Sequence, residues 1–168
     1  TLARVEGRMR FDDGEPSEVA QVVELAVADS AAAQGQCQWP EVLPHVYLAM
    51  PRELAITALR NLVDNALHHG PRGAPITLTA EQTHSDITFT VHDQGPGVDE
   101  DTLAQLTQRF WRASKQQGSG LGLAIVAAIT QRFGGDVRFE NATSGGFCAH
   151  LRVPTVPVQT SKTITTEA

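Results

Sequence analysis

The spacing of apolar residues predicts its clearest helix between Pro51 and Gly70. Pro51 suits the first turn of a helix, and Gly70 followed by Pro71 ends it. Apolar side chains inside this stretch recur every three or four residues, which is typical of a helix with one buried face. They are Ile56, Leu59, Val63, Ala66 and Leu67.

The same periodicity predicts three further helices. One covers residues 17–34 and is capped by its first residue, and another covers 120–133. A short helix capped by Asp99 or Asp101 and ending at Leu106 lies between them. The predicted inward faces of the two long helices are Val19, Val22, Val23, Ala26 and Val27 in the first, and Leu121, Leu123, Ile125, Val126 and Ile129 in the second.

Alternation of apolar and polar residues predicts two antiparallel hairpins. The first joins 76–80 to 86–93, and the second joins 137–140 to 147–153 around a Ser-Gly-Gly turn. Shorter extended stretches are predicted at 36–39 and 46–50. The helices would then collect on one face of a largely antiparallel sheet, so the predicted fold class is α+β, a two-layer sandwich.

Composition and charge limit the function classes. Of the 168 residues, 41% are hydrophobic and 19% are charged, which suits one domain with a buried core. The net charge of -6 argues against a nucleic-acid binder, which normally carries a basic face. No apolar run is long enough to span a bilayer, and no signal peptide opens the chain. Cys37 and Cys148 have no metal-ligand spacing and indicate reduced thiols of a cytoplasmic protein, or core residues.

A polar stripe lies on the helix that follows Pro51, on a different face from its apolar residues. Asn61, Asn65 and His68 fall at helical spacing, although asparagine is a mediocre helix former because its amide competes for backbone hydrogen bonds. Amide oxygens suit hard cations such as Mg2+, which commonly arrives with the phosphates of a nucleotide. A solvated polar face is the alternative that these residues alone leave open.

Asp93 stands at the end of the predicted central strand and is followed by Gly95 and Gly97. A carboxylate can only accept hydrogen bonds, which suits a ligand that offers an N–H, such as the exocyclic amine of adenine. Guanine presents a carbonyl at that position and would leave the carboxylate unpaired. The glycines let the backbone turn close to a ligand. An ordinary Asp-Gly turn is the competing interpretation.

A second glycine cluster, at 118–123, comes directly before a predicted helix. Unpaired N–H groups and the helix dipole at such a position suit the phosphates of a nucleotide. The spacing matches neither the dinucleotide-binding fingerprint nor a P-loop. The basic segment Arg109–Lys115 just upstream is predicted to be a mobile lid over the phosphates, although Phe110 suits the hydrophobic core equally well.

Four stretches together resemble the N, G1, F and G2 boxes of the ATP-binding domain of bacterial sensor histidine kinases. In chain order they are Arg60–Ala66, Asp93–Gly97, Arg109–Lys115 and Gly118–Val126. The resemblance covers residues 11–154. It implies the Bergerat-type sandwich shared with gyrase, heat-shock chaperone and mismatch-repair ATPases, with ATP and Mg2+ as ligands.

The resemblance also implies roles for individual residues. Asn65 would ligate Mg2+ with Asn61 beside it, and Asp93 would bind the adenine amine. Arg112 and Lys115 would contact the γ-phosphate and complete the catalytic set with the two asparagines. The other implied nucleotide contacts are His68 at a phosphate, His69 near the adenine, Gly95, Gly97 (flexing with the lid) and Val98 after Asp93, Phe110 in the lid, and Gly118, Ser119, Gly120, Leu121, Gly122 and Leu123 in the cluster that offers backbone N–H groups.

The chain departs from the family pattern at the last hairpin and differs at its two ends. Phe147 follows Gly146 where the family often has a threonine that lines the adenine pocket, which leaves that contact open. Residues 1–10 resemble the end of the dimerisation helix hairpin that precedes this domain, and 155–168 are predicted to be a disordered tail. No histidine here has the surroundings of a phosphoacceptor, so the chain is expected to bind ATP without carrying its own acceptor.

The function that the resemblance implies is that of the catalytic domain of a protein histidine kinase. Such a domain transfers the γ-phosphoryl group of ATP to a histidine on a separate dimerisation domain in two-component signal transduction. The implied partners are that domain and the receiver domain of a response regulator. The parent protein would be a homodimer anchored in the bacterial inner membrane, with this domain in the cytoplasm. The fragment itself would be a monomer.

Two alternatives stay open at this point. The first is a stand-alone ATPase of the same fold, but such relatives place a glutamate where this chain has Asn61, and an amide cannot act as the base for water. The second is a nucleotide-gated module that binds a protein partner.

Overall fold

The computed structural model describes residues 17–28, 35–115 and 121–156. In chain order the elements are β1 (Ser17–Glu18), α1 (Val19–Ala28), β2 (Cys37–Gln38), β3 (Tyr47–Leu48), α2 (Arg52–His69), β4 (Ile76–Gln82), β5 (Asp86–His92), α3 (Glu100–Lys115), α4 (Leu121–Phe133), β6 (Asp136–Asn141) and β7 (Phe147–Pro154). The predicted α+β class is confirmed. The predicted hairpin end at 1–10 lies outside the described residues.

A mixed five-stranded sheet forms one layer, in the order β2-β4-β5-β7-β6. Strand β2 runs parallel to β4, and the other neighbours are antiparallel. Both predicted hairpins are present, as β4–β5 and β6–β7. Because β7 pairs with β5 along its whole length, the turn of the last hairpin lies beside the residues that follow β5.

The helices pack together on the sheet, with α2 between α1 and α4 and with α3 against α4. On α2, Ile56, Leu59, Val63 and Ala66 are buried as predicted, and Leu67 is half-buried. Burying each of the larger of these side chains contributes about 1.5–3 kcal/mol, which is why the pattern specifies the face of the helix. Within the described ranges, none of the helices is both long and apolar enough to cross a bilayer.

One predicted core residue of α4 is wrong. Leu123, Val126 and Ile129 are buried, but Ile125 is 37% exposed. Successive residues of a helix are rotated by about 100°, and the buried positions at 123, 126 and 130 leave 125 pointing away from the core.

Two predicted helix boundaries need correction. Ser17 does not cap α1, because it lies in β1 and its hydroxyl donates to the Met50 carbonyl. The Val19 N–H at the start of the helix donates instead to the Val46 carbonyl at 3.2 Å. Asp99 does cap α3, since its Oδ1 accepts the Thr102 N–H at 2.7 Å. This helix continues to residue 115, however, rather than ending at 106, because no glycine or proline interrupts it.

The predicted tail begins two residues too early. Thr155 forms a bridge with Leu48, and its N–H donates to the Ser85 carbonyl at 3.0 Å. The Val156 N–H donates to the Tyr47 carbonyl at 2.8 Å. These residues extend the paired backbone after β7, and 157–168 lie outside the described residues.

Candidate nucleotide site

Helix α2 brings three of the predicted motifs together. At its C-terminal end, a β-carbon placed on Gly70 would lie 3.2 Å from the Asp93 β-carbon, and one on Gly95 would lie 2.8 Å from Pro71 Cδ. At the middle of α2, a β-carbon on Gly122 would lie 3.2 Å from Asn61 Oδ1. The loop after β5 and the start of α4 therefore both lie against the helix that carries the two asparagines.

Asp93 is buried, with 3% of its surface exposed, and is held in one orientation. Its Oδ1 accepts the N–H groups of Gly95 at 2.9 Å and Phe147 at 3.1 Å. Within the described residues, Oδ2 has no hydrogen-bond partner. A buried carboxylate is stabilised when both oxygens accept hydrogen bonds, so this geometry favours a ligand that brings an N–H to Oδ2.

The two asparagines of α2 present their amides differently. Asn61 Nδ2 donates to the Thr57 carbonyl at 2.7 Å, which leaves Oδ1 directed at Gly122. Asn65 Nδ2 is buried and has no partner in the part of the chain that the structure describes. An unsatisfied buried donor costs about 1–3 kcal/mol, which a bound ligand can remove. His68 lies exposed on the next turn.

The donor chemistry at Asn65 fits a nucleotide with its cation. Rotation of an amide by 180° exchanges its oxygen and nitrogen, so the same buried position can present N–H to a phosphate oxygen or an amide oxygen to a cation. Hard cations such as Mg2+ take oxygen ligands of this kind.

The start of α4 offers further donors to a phosphate. The helix begins at Leu121, so the N–H groups of Leu121, Gly122 and Leu123 have no partner within the helix. The Leu123 side chain is buried in the core, so only its backbone can take part. Gly118, Ser119 and Gly120 lie outside the described residues, as do the side chains of His69, Arg112, Lys115 and Leu121.

The predicted lid is helical up to Lys115. Residues Arg109–Lys115 form the last turns of α3, so the backbone of the predicted lid is helical. Phe110 packs against the hydrophobic core, edge to face with Phe139 at 6.1 Å between ring centroids. That contact matches the core interpretation of Phe110 rather than a nucleotide contact.

Phe147 has two separate roles. Its ring is 2% exposed and stacks on Phe139 at 6.0 Å between centroids, so the side chain belongs to the core. Its backbone N–H reaches Asp93 Oδ1. The family's threonine contact is therefore not supplied by this side chain, while the backbone still orients the carboxylate.

Sequence reasoning missed two residues that hold the loop after β5. Asn141 Oδ1 accepts the Val98 N–H at 2.9 Å, and Asn141 Nδ2 donates to the Val98 carbonyl at 2.7 Å. His92 Nε2 is 2.7 Å from the Gly145 carbonyl, to which it donates. Both contacts join segments that are more than forty residues apart in the chain, so no local pattern in the sequence predicts them.

Residues 51–157 match the model of a protein family described as histidine kinase-, DNA gyrase B- and HSP90-like ATPases. The chain belongs to this family. Membership confirms the expected family and implies a nucleotide-binding domain.

Curated relatives and solved structures agree with this assignment. The signal transduction histidine-protein kinase AfsQ2 of Streptomyces coelicolor is 40% identical over 111 residues, covering 64% of this chain and 20% of AfsQ2. The sensor protein QseC of Salmonella typhi is 33% identical over 158 residues, covering 90% of this chain and 34% of QseC. The ATP binding domain of PrrB from Mycobacterium tuberculosis shares the fold, with a TM-score of 0.66 and 24% identity over 84% of this chain and 97% of that one.

The chain is thus homologous to the ATPase domain of sensor histidine kinases. It spans only 20% of AfsQ2 and 34% of QseC.

Proposed function

We propose that this domain binds ATP with Mg2+ and delivers the γ-phosphoryl group to a histidine on a separate dimerisation domain, in two-component signal transduction. The observation that carries the proposal is that α2 joins two sites: Asp93, with one carboxylate oxygen left for a ligand, lies at its C-terminal end, and Asn61 in its middle lies against Gly122 at the start of α4. A purine, a cation and a chain of phosphates match these groups in that order.

Asp93 selects the base. Its Oδ1 is occupied by two backbone N–H groups, so Oδ2 accepts the exocyclic amine of adenine, as the family resemblance implies. A guanine carbonyl facing the same oxygen would leave Oδ2 of the buried carboxylate without a hydrogen-bond donor, which costs about 1–3 kcal/mol or more. The loop residues after Asp93 would line the same edge of the base that carries the exocyclic amine. They are Gly95, Gly97 and Val98.

The asparagines and α4 hold the phosphate end. Asn65 would supply an amide oxygen to Mg2+, and Asn61 lies one turn before it on α2 with Oδ1 directed at Gly122. When bound, Mg2+ neutralises charge on the transferred phosphoryl group. Backbone N–H groups at 118–123 are the proposed donors to the phosphates, which the positive end of the α4 dipole also attracts. His68, Arg112 and Lys115 are the proposed cationic contacts, and His69 is proposed near the adenine.

Phosphotransfer to a protein histidine is favoured over hydrolysis by Asn61. An amide has no basic oxygen with which to take a proton from water, and its Nδ2 is already engaged with the Thr57 carbonyl. The catalytic contribution of this domain is then positioning and charge neutralisation, and the attacking imidazole comes from another domain.

The remaining partners follow from the named relatives. AfsQ2 and QseC are named as a signal transduction histidine-protein kinase and a sensor protein, which supports a response regulator as the partner whose receiver domain takes the phosphoryl group. A homodimeric parent is part of the proposal by family resemblance. A parent anchored in the inner membrane, with this domain on the cytoplasmic side, belongs to the same proposal.

Two measurements test the function. ATP with Mg2+ is expected to raise the melting temperature of the chain, whereas GTP with Mg2+ is not; equal shifts would remove the role given to Asp93. With labelled ATP, the chain alone is expected to stay unlabelled, and label is expected on the dimerisation domain of the parent protein when that domain is added. Label on a histidine of this chain would contradict the proposal.

A further inference from the structure

We propose that Asn141 is a positioning residue for the purine site, which fixes the loop after Asp93 in its binding conformation without touching the nucleotide. The proposal rests on the proposed function only in that Asp93 is taken as the base-recognising carboxylate. It assigns a role to the end of β6, a part of the chain outside all four motifs.

The contact between Asn141 and Val98 uses both ends of the amide. Oδ1 accepts the Val98 N–H at 2.9 Å while Nδ2 donates to the Val98 carbonyl at 2.7 Å. Two opposed hydrogen bonds to one residue fix the position and the rotation of its peptide groups, which a single bond would not do. A side chain with acceptors only, or with none, cannot replace it.

The same amide determines the backbone at Gly97. This glycine has a φ of +84°, and a β-carbon on it would lie 2.7 Å from Asn141 Oδ1. Gly97 is therefore needed here for close approach as well as for its left-handed conformation. The absence of a side chain at 97 is what allows the amide to reach the next residue.

The Asn141 contact completes a set of anchors around Asp93. Before it, His92 Nε2 donates to the Gly145 carbonyl, and at Asp93 itself both the N–H and the carboxylate bond to Phe147. Gly145 lies in the turn between β6 and β7, and Phe147 is the first residue of β7. Without Asn141, the loop would be held on one side of the carboxylate only, and residues 95–98 would sample other conformations.

Asn141 is exposed, so its removal leaves no cavity in the core. A positioning role can therefore be distinguished from a role in stability, because hydrogen bonds at an exposed position contribute little to the free energy of unfolding. The matched control is Thr143, an exposed residue in the same turn whose side chain makes no hydrogen bond within the described residues.

The experiment compares Asn141→Ala, Thr143→Ala and the unmodified chain by calorimetric titration with ATP and with ADP, and by amide hydrogen exchange at Val98. For Asn141→Ala, both affinities are expected to fall by about tenfold with their ratio unchanged, and the Val98 N–H is expected to lose protection. Thr143→Ala is expected to change neither. Faster exchange at Val98 with unchanged nucleotide affinity would overturn the proposal.

A second variant keeps the test decisive if Asn141→Ala does not fold. Asn141→Asp keeps the acceptor for the Val98 N–H but loses the donor, and regains a donor only when protonated. Its affinity for ATP at neutral pH is expected to fall about as far as that of Asn141→Ala, because a carboxylate cannot donate to the Val98 carbonyl oxygen and repels it.

The outcomes also separate this inference from the proposed function. If Asp93→Asn binds ATP as the unmodified chain does, the base site itself is wrong. If Asp93→Asn loses ATP while both Asn141 variants bind it normally at neutral pH, the site is right and the positioning role is wrong.

Discussion

Asp93 and Phe147 exchange a pair of hydrogen bonds between residues far apart in the chain. The Asp93 N–H donates to the Phe147 carbonyl at 3.0 Å, and the Phe147 N–H donates to Asp93 Oδ1 at 3.1 Å. The proposed base-recognising carboxylate is thus oriented by the backbone of the neighbouring strand. Because a backbone N–H is present at every residue except proline, the strand can place a phenylalanine here without losing the contact.

Asp93→Asn tests the carboxylate directly. The amide oxygen can replace Oδ1, which turns the NH2 group toward the adenine amine so that two donors face each other. ATP with Mg2+ is then expected to give no rise in melting temperature, and the affinity for ATP is expected to fall by roughly 10- to 100-fold. Asp101→Asn, on the exposed first turn of α3, is the control and is expected to bind ATP normally.

The two turn glycines make a matched pair. A β-carbon on Gly146 would lie 2.2 Å from the Asp93 carbonyl oxygen, whereas one on Gly145 would meet nothing within 4 Å. Both have positive φ, so each alanine variant carries backbone strain of about 1–2 kcal/mol. In urea unfolding, Gly146→Ala is expected to lower the free energy of unfolding by more than this strain alone. In calorimetric titration it is also expected to lose ATP binding. Similar losses in both variants would show that strain alone matters.

Phe147→Ala separates the two roles of that residue. Removing a buried ring is expected to lower the free energy of unfolding by about 3–5 kcal/mol in urea unfolding. The backbone contact to Asp93 is kept, so ATP affinity measured at low temperature, where the variant is folded, is expected to change by less than about threefold. A much larger loss of affinity would mean that the ring itself shapes the purine site.

Arg152 links three strands on the face of the sheet away from the helices. It lies 3.1 Å from Asp86 and 2.9 Å from Asp136, and both carboxylates raise its pKa. Arg152→Ala is expected to lower the free energy of unfolding by about 1 kcal/mol, and less at high salt. Arg138→Ala is the control, because Arg138 is more exposed and 3.9 Å from its partner Glu140. Equal losses at low and high salt would point to packing instead.

Cys37 predicts a loss of stability at high pH. Burial raises the pKa of its thiol from 9.0 to about 11. The unfolded chain therefore releases this proton first, and the free energy of unfolding falls as the pH rises from 9.0 toward 11. Cys37→Ser has no thiol to titrate, so its stability is expected to fall less steeply over this interval. Parallel slopes in urea unfolding would assign the pH dependence to other groups.

Local patterns were sufficient for most of the secondary structure. The helix from Arg52 to His69 and both hairpins follow from apolar spacing and from turn residues, because each depends on neighbours within a few positions. The extent of α3 did not follow. A basic stretch beside glycines predicts a mobile segment, but in the fold the Phe110 ring packs against Phe139 and the helix continues.

The asparagines, Asp93 and Gly122 could be chosen from the sequence because their residue types and spacing carry the chemistry of a nucleotide site. The contacts that hold these side chains in place could not be predicted from the sequence. The Asn141 amide reaches Val98 across 43 positions, and the Phe147 backbone reaches Asp93 across 54. Such contacts depend on how strands β5, β7 and β6 are placed side by side. Chemical identity is a property of each residue, but orientation comes from the packing of elements distant in sequence, and only the tertiary structure decides it.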